Sequence, residues 1–236
     1  MATQDDIKVT LISHTKDPER TITAAIRQCY SPLSGAELKK KTSEGQKKRL
    51  ISQIVKSGHT STIEHASFTF SIENVSRVTE VQLVRHRIAS YSIKSGRYNK
   101  THTNYVIPPA IKVNKQALKI VDDFNKKLEV LVKELKDLGF KNEDVRFFTP
   151  QGTRTNIVVT MNARSLMNFF EHRLCQRAQW EIRALASKML AVVKPVAPDI
   201  FKYAGPTCKT EKICWEGDLS CGIYKNIKGA ELRERA

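Results

Sequence analysis

The most constraining stretch of the sequence is residues 85–98, which hold three arginines, a lysine, a histidine and three serines. A segment with so many polar side chains is a poor core, but it is well suited to bind an anion. Arginine holds a phosphate or a carboxylate through two hydrogen bonds, and Gly96 lets a ligand oxygen approach the backbone closely. A solvated basic turn after a helix is the alternative interpretation of the same residues.

The order of these residues resembles the signature of a known family. Residues 85–98 read Arg-His-Arg, two residues, Ser, four residues and Ser-Gly-Arg-Tyr. This motif resembles that of the flavin-dependent thymidylate synthases, which methylate dUMP with methylenetetrahydrofolate, FAD and NADPH. Residues 58–65 and 162–181 are also similar to that family. The likeness therefore covers about residues 8–203 of the chain.

The resemblance implies a fold and an assembly. We expect an α+β fold of the thymidylate synthase-complementing type, a single domain whose central, mostly antiparallel sheet is flanked by long helices. The catalytic domain would cover residues 1–205, and a cysteine-containing tail would cover residues 206–236. The family further implies a homotetramer whose sites are shared between subunits. A chain of 236 residues with 40% hydrophobic content is long and apolar enough for one sizeable core.

The resemblance assigns a first group of residues to FAD. All but one of them have a cationic, hydroxyl, imidazole or amide side chain. They are Ser61, Arg85, His86, Arg87, Ile93, Asn162, Arg164 and Asn168. His59 is expected near the flavin or the folate, and a histidine packed in the turn is the alternative for that residue.

A second group is assigned to the substrate dUMP by the same resemblance. Residues 95–97 look like the loop that holds the dUMP phosphate. For Arg146, which stands among apolar neighbours, an internal salt bridge is the alternative. The group comprises Gln82, Arg85, Ser95, Gly96, Arg97, Arg146 and Arg173.

Arg173 is the expected catalytic residue. A fixed cation beside N3 and the carbonyl of uracil would stabilise the electron-rich ring that attacks an electrophilic carbon. Arginine stays protonated, so it cannot be the base. None of the five cysteines stands in a Pro-Cys context like that of the ordinary thymidylate synthase, which attacks uracil with a cysteine. We therefore expect reduced FAD to supply the hydride while Arg173 activates the uracil.

Two positions depart from the family pattern. Members commonly have Asn-Glu where this chain has Ser92-Ile93, so Ile93 could contact FAD only through its backbone. Cys29 stands where a serine near the flavin is expected. The change at Ile93 leaves open a flavoprotein that oxidises NADPH but has lost methyl transfer.

The charge of the chain raises a different class of function. A formal net charge of +16 suggests polyanionic partners, and a basic nucleic-acid-binding protein is the alternative to an enzyme. Only 7% of the residues are aromatic, whereas proteins that bind single strands usually stack bases on exposed rings, so we expect no nucleic-acid partner. No apolar run approaches the roughly eighteen residues of a membrane helix. The polar, acidic start is unlike a signal peptide, so we expect a cytoplasmic protein without a membrane partner.

No metal site is expected. The spacing of His59, Glu64 and His65 differs from that of the histidine pair in zinc proteases. Cys208, Cys214 and Cys221 are separated by five and six residues, with no histidine nearby, which leaves them one ligand short of a structural zinc site. A loosely packed tail with reduced cysteines is the expectation.

Hydrophobic periodicity predicts the main elements. Strands are expected at residues 7–12, 68–72 and 155–161, and helices at residues 17–30, 36–56, 113–138 and, without interruption, 162–189. The helix over 113–138 carries an apolar stripe of Leu118, Val121, Phe124, Leu128, Leu131 and Leu135.

A shorter helix is expected just before the basic motif, capped by Asn74 or Ser76. It should turn Val78, Val81 and Val84 toward the core. Gln82, Arg85 and His86 have the spacing of neighbours on one helix face, so we expect them to project together.

Overall fold

The structure, a computed structural model, describes residues 6–99 and 104–223. These residues form two compact units, each of which is described by itself. The first unit contains residues 6–8, 71–85, 91–99 and 104–159 of the described chain, and the second contains residues 9–70, 86–90 and 160–223. No helix within the described ranges is long and apolar enough to cross a membrane.

Four strands form one antiparallel sheet with the order β1-β2-β4-β3. In β2 and β4 buried and more exposed side chains alternate, as expected for strands with one face toward a core. The fully buried apolar side chains of β2 are Phe68, Phe70, Ile72 and Val75. The strands are β1 Lys8–His14, β2 Ser67–Ser76, β3 Ser90–Ile93 and β4 Arg154–Asn162.

The second unit contains most of the helices. Helix α1 packs against α2, α3 and a 3₁₀ helix at Thr60–His65, and that 3₁₀ helix also packs against α8. The helices are α1 Pro18–Gln28, α2 Gly35–Lys41, α3 Glu44–Lys56, α8 Ala163–Arg173, α9 Trp180–Val193, α10 Pro198–Phe201 and α11 Thr207–Thr210. A short 3₁₀ helix at Gly217–Leu219 follows them.

A buried carboxylate ties three helices of the second unit together. Glu19 of α1 is only 5% exposed. It pairs with Lys47 of α3 over 3.1 Å and accepts a hydrogen bond from the Asp199 backbone N–H, at the start of α10, over 2.5 Å. A buried charge is stable only when it is paired in this way, so the contacts define how these helices pack.

The first unit has its own helices and a small apolar cluster. Tyr105, Ile107 and Leu128 form this cluster, against which part of the long helix α6 packs. The helices are α4 Arg77–Leu83, α5 Pro109–Lys112, α6 Lys115–Asp137 and α7 Asn142–Val145, followed by a 3₁₀ helix at Arg146–Phe148.

The predicted α+β fold, with its antiparallel sheet and long helices, is confirmed. Two predicted helices are interrupted, however. The segment 36–56 forms two helices because Ser43 caps α3 in a reciprocal capping box with Gln46. The segment 162–189 is also broken, because the Gln179 side chain accepts hydrogen bonds from the first backbone N–H groups of α9. Its continuous apolar stripe therefore belongs to two helices.

The expectations for α4 were partly wrong. Ser76 caps this helix, as predicted, but Val78, Val81 and Val84 are all exposed. The side chains that α4 buries are those of Thr79 and Leu83, because the helix is rotated relative to the predicted orientation.

Gln82, Arg85 and His86 do not share a helix, because α4 ends at Leu83. The Tyr91 hydroxyl donates a hydrogen bond to the Leu83 carbonyl oxygen over 2.9 Å and so satisfies one acceptor at this helix end. Burial of Tyr91 raises the pKa of its phenol to about 12, so the hydroxyl remains a donor.

Candidate active site

Residues of the predicted phosphate loop line a cavity of about 630 Å³ in the first unit. The loop follows β3, and its Lys94 backbone N–H donates to the Asn156 carbonyl oxygen of β4 over 2.9 Å. Ser95, Gly96 and Arg146 all line the cavity. The structure therefore brings together three residues that the sequence assigned to dUMP, although Arg146 lies about fifty positions further along the chain.

Gly96 lies against two guanidinium side chains. A Cβ added to Gly96 would stand 3.4 Å from Cδ of Arg146 and 3.6 Å from Nη2 of Arg77. Both arginines line the same cavity. The absence of a side chain at Gly96 thus leaves the backbone accessible between two cations, which suits an anionic oxygen.

Arg77 was missed by sequence reasoning. Its Nη1 pairs with Glu80 over 2.7 Å, and its Nη2 donates to the Lys94 carbonyl oxygen over 3.1 Å. These contacts hold the guanidinium beside the loop. A usable signal existed, since an arginine directly after the helix cap Ser76 opposes the helix dipole and so calls for a specific partner.

Three other predicted dUMP residues of the first unit do not line this cavity. Arg97 pairs with Glu143 over 2.6 Å, Gln82 donates to the Val78 carbonyl oxygen within α4, and Arg85 is exposed. Arg146 is exposed rather than buried, and it forms no ion pair with the residues that the structure describes. Ile93, predicted to contact FAD, lines the cavity beside the loop.

In the second unit, Arg173 contacts His86. The Arg173 Nε donates a hydrogen bond to His86 Nε2 over 3.0 Å. Because Nε2 accepts this bond, the neutral imidazole carries its proton on Nδ1. The His86 ring also packs edge-on against Phe169 of α8, with 5.0 Å between the ring centroids.

The surroundings of His86 keep its imidazole neutral. Burial and the electrostatic effects of Arg173 and His172 together lower the pKa of His86 from 6.5 to about 4, although a hydrogen bond with Asn168 acts in the opposite direction. At neutral pH the imidazole is therefore a hydrogen-bond acceptor that can orient Arg173 without adding a second positive charge.

Several predicted FAD residues lie where α8 meets the 3₁₀ helix Thr60–His65. Asn162 caps α8 by accepting a hydrogen bond from the Ser165 backbone N–H over 2.8 Å. Arg164 pairs with Glu64 over 2.6 Å, and both side chains are about half exposed. The sequence did not predict this pairing of Glu64 with Arg164.

Four other predicted or noted positions of the second unit are exposed. Ser61 belongs to the 3₁₀ helix, His59 precedes it, and Arg87 follows His86. Cys29 is at the end of α1. In the α8 helix, Asn168 contacts His172 over 3.3 Å.

Within the described ranges, no group of three or more His, Cys, Asp or Glu side chains could hold a metal ion.

Comparison with known proteins gives a consistent result along the chain. The family model described as thymidylate synthase complementing protein matches residues 10–199. The flavin-dependent thymidylate synthase of Clostridium tetani is 42% identical over 245 residues, which cover 97% of this chain and 96% of the relative. The flavin-dependent thymidylate synthase of Geobacter sulfurreducens is 43% identical over 225 residues, which cover 94% of this chain and 97% of that relative.

Two solved structures share the fold. The UMP/dUMP methylase PolB from Streptomyces cacaoi, bound with 5-Br dUMP, matches with a TM-score of 0.74 at 22% identity, covering 86% of this chain and 96% of that one. The flavin-dependent thymidylate synthase from Helicobacter pylori, complexed with FAD and dUMP, matches with a TM-score of 0.66 at 27% identity. The match covers 84% of this chain and 99% of that one.

Proposed function

Because the chain belongs to the flavin-dependent thymidylate synthase family, we propose that it catalyses the reductive methylation of dUMP to dTMP. Its cofactor is FAD, its carbon donor is 5,10-methylenetetrahydrofolate and its reductant is NADPH. The alternatives, a nucleic-acid-binding protein and an NADPH oxidase without methyl transfer, have no support among these relatives.

The observation that carries this proposal is the position of Gly96 between Arg77 and Arg146. A nucleotide monophosphate is a compact dianion that is best held by guanidinium groups together with backbone N–H groups. We assign the dUMP phosphate to this cavity, with the Ser95 side chain as a further donor. Ser95 Oγ now accepts a hydrogen bond from the Arg97 backbone N–H over 3.2 Å, which leaves its O–H able to donate.

Arg173 is the proposed catalytic residue. Its guanidinium has five N–H donors, and the bond from Nε to His86 orients the plane in which the others lie. A guanidinium placed beside N3 and a carbonyl of uracil would stabilise negative charge as C5 attacks the one-carbon unit. Since His86 is neutral, it contributes orientation and leaves the positive charge of the site on Arg173.

The donor set proposed for FAD fits the chemistry of that cofactor. A dinucleotide presents a pyrophosphate and a ring with amide-like edges, which need cationic and amide donors. Arg87 and Arg164 are exposed cations and Asn168 an exposed amide, all in the second unit. Ser61 and His59 are exposed and provide hydroxyl and imidazole groups. Bound FAD, once reduced by NADPH, supplies the hydride.

We also propose that the enzyme is a homotetramer with sites shared between subunits. Exposed apolar side chains on two helices of the first unit support an assembly. In α6, Ile120, Phe124 and Leu131 are 65%, 53% and 38% exposed, although two of them belong to the predicted core stripe. In α4, the exposed residues are valines. Water-exposed apolar side chains repeated along one helix are typical of an interface.

Two further assignments follow the family pattern. We propose that residues 1–205 carry the catalysis and that residues 206–236 form a cysteine-containing tail. We also propose a cytoplasmic location, which agrees with the free thiols of all five cysteines, since a reducing compartment keeps cysteines unpaired.

The test begins with the visible absorption spectrum of the purified protein. We expect a bound flavin that bleaches on anaerobic addition of NADPH, bleaches faster when dUMP is present, and yields dTMP once methylenetetrahydrofolate is added. A colourless protein that takes up no added FAD would overturn the proposal. Bleaching without dTMP under all conditions would instead identify an NADPH oxidase.

A further inference from the structure

A second cavity of the first unit has a volume of about 530 Å³. It is lined by side chains of α6, by the segment 104–107 and by the first residue of β4. It shares no lining residue with the cavity assigned to the dUMP phosphate. All but one of its lining residues are polar, and a concave site with several converging polar groups is typical of a small-molecule site.

The Tyr105 side chain brings a hydroxyl without a partner to this cavity. Tyr105 is 8% exposed, and its ring packs with Ile107 and Leu128 in the apolar cluster of the unit. Its hydroxyl oxygen is buried and forms no hydrogen bond with any residue that the structure describes. Burial raises the pKa of the phenol, and the negative charge of Glu129 raises it further, so the hydroxyl remains a donor. A buried donor without an acceptor is unfavourable and calls for a ligand.

Arg154 is a second donor that lacks an acceptor. Its Nε is buried and has no hydrogen-bond partner within the described ranges. Its Nη2 lies 4.0 Å from Oδ2 of Asp6, which is beyond hydrogen-bond distance. The Arg154 backbone N–H donates to the Asn104 carbonyl oxygen over 3.0 Å, which holds the start of β4 beside the segment that carries Tyr105. Guanidinium and hydroxyl donors that line one cavity suit a carboxylate, which accepts several hydrogen bonds.

Helix α6 contributes groups of the opposite charge. Asp122 and Glu129 line the cavity, and neither forms an ion pair with another residue in the described part of the chain. Asn125 stands between them, and its amide can donate or accept. Since these positions are about one helical turn apart, their side chains project from the same face of α6. Two carboxylates without a partner suit an ammonium group, which has three N–H donors.

The charges of the lining select the class of ligand. Asp122 and Glu129 are negative, whereas Lys126 and Arg154 are positive, so the lining is formally neutral. A simple anion would meet two carboxylates, and a simple cation would meet two basic side chains. A small molecule that carries one carboxylate and one ammonium group matches both sets of charges.

We propose that this cavity binds a small zwitterion of the α-amino acid class. The ligand carboxylate accepts hydrogen bonds from the Tyr105 hydroxyl and from Nε of Arg154. Its ammonium group donates to Asp122 and Glu129. The side chains of Lys126 and Glu129 are exposed, so they can rotate to admit the ligand. This site is additional to the proposed methylation of dUMP and does not depend on it.

Ligand-observed NMR of the purified full chain tests the site. The probes are the common free L-amino acids in small pools, with methylamine and acetate as singly charged controls. We expect saturation transfer to at least one amino acid at a concentration at which neither control receives any. Addition of dUMP should leave this signal unchanged. Absence of transfer to every amino acid, equal transfer to methylamine or acetate, or displacement by dUMP would overturn the proposal. None of these results depends on whether the protein forms dTMP.

Tyr105→Phe removes the unpaired hydroxyl and keeps the ring in the apolar cluster. Without ligand, denaturant unfolding should show this variant to be at least as stable as the wild type, because no protein hydrogen bond is lost. Its affinity for the amino acid should fall about tenfold. Tyr91→Phe is the matched control, since the Tyr91 hydroxyl donates to the Leu83 carbonyl oxygen. The control should lose stability and keep its affinity for the amino acid. Unchanged affinity in Tyr105→Phe, or clear destabilisation without ligand, would contradict the role of the hydroxyl.

Two isosteric variants locate the ammonium group. Asp122→Asn and Glu129→Gln each remove one negative charge and should each weaken binding of the amino acid about tenfold. Asp123→Asn makes the same change at an exposed neighbour in α6 that does not line the cavity, and it should bind like the wild type. Equal affinity in the wild type and in both cavity variants would refute the assignment of the ammonium group to α6.

Discussion

Arg173 and His86 are joined by a hydrogen bond of 3.0 Å although they are 87 positions apart in sequence. His86 belongs to the Arg-His-Arg motif, and Arg173 is the last residue of α8. The bond therefore connects the motif to the helix that carries the proposed catalytic group. The sequence assigned the two residues to different ligands, FAD and dUMP, and did not anticipate that one orients the other.

Replacing Arg173 by alanine should abolish catalysis and preserve the cofactor. Loss of a cation that stabilises a developing charge costs about 100- to 1000-fold in rate. We expect the Arg173→Ala variant to keep its flavin absorption and to form dTMP at least about 100-fold more slowly. Arg49→Ala, which removes an exposed arginine from α3, is the matched control. Wild-type dTMP formation by Arg173→Ala would rule out the proposed role.

The neutral state of His86 predicts a pH dependence of stability. The folded pKa of about 4 lies below the reference value of 6.5, so the unfolded chain binds the proton first. The contribution of neutral His86 to the free energy of unfolding is therefore fully present above pH 6.5. It is lost as the pH falls toward about 4.

Denaturant unfolding at a series of pH values checks this prediction. The free energy of unfolding of the wild type should fall relative to that of His86→Gln across this acidic window, because glutamine does not titrate. A difference between the two proteins that stays constant with pH would contradict it. So would an NMR titration in which the His86 ring protonates near pH 6.5.

A methyl group at Gly96 should weaken substrate binding. The new Cβ would stand 3.4 Å from Cδ of Arg146 and fill the space where the phosphate is expected. We expect Gly96→Ala to raise the KM for dUMP by about tenfold, which corresponds to roughly 1.4 kcal/mol of binding free energy. The flavin spectrum should not change.

Gly45→Ala in α3 is the matched control for this substitution. A Cβ at Gly45 meets nothing within 4 Å, and alanine favours a helix by about 1 kcal/mol over glycine. The control should therefore be slightly more stable, with an unaltered KM. An unchanged KM for dUMP in Gly96→Ala would contradict the assignment of the dUMP phosphate to this cavity.

A charge in the exposed apolar stripe of α6 should disrupt the oligomer. Ile120 is 65% exposed in the single chain. If Ile120 is covered by a second copy, Ile120→Glu leaves a carboxylate unpaired in an apolar contact, which is strongly unfavourable. Sedimentation should show smaller species than for the wild type. Lys119→Glu, an exposed neighbour with a larger charge change, should leave the assembly intact, and identical sedimentation of all three proteins would exclude this face.

Local patterns predicted much of the fold. Alternating apolar residues identified β2, β-branched residues identified β4, and Ser76 was one of the two predicted caps of α4. Errors arose where a local signal competed with the periodicity. The side chains of Ser43 and Gln179 begin new helices inside segments whose apolar spacing predicts uninterrupted ones. Hydrophobic spacing alone does not register such a break.

The sequence by itself determined which family the chain belongs to and therefore which reaction to expect. The motif at residues 85–98 consists of neighbouring residues, so it can be recognised without knowing how the chain folds. The sequence predicted a phosphate loop at residues 95–97 and the arginine expected to act on uracil. Only the tertiary structure decided which of these residues meet: His86 and Arg173 form a hydrogen bond, and Arg77 lies beside Gly96. Each of these contacts joins distant parts of the chain. They depend on how helices and strands pack, which side-chain periodicity does not encode.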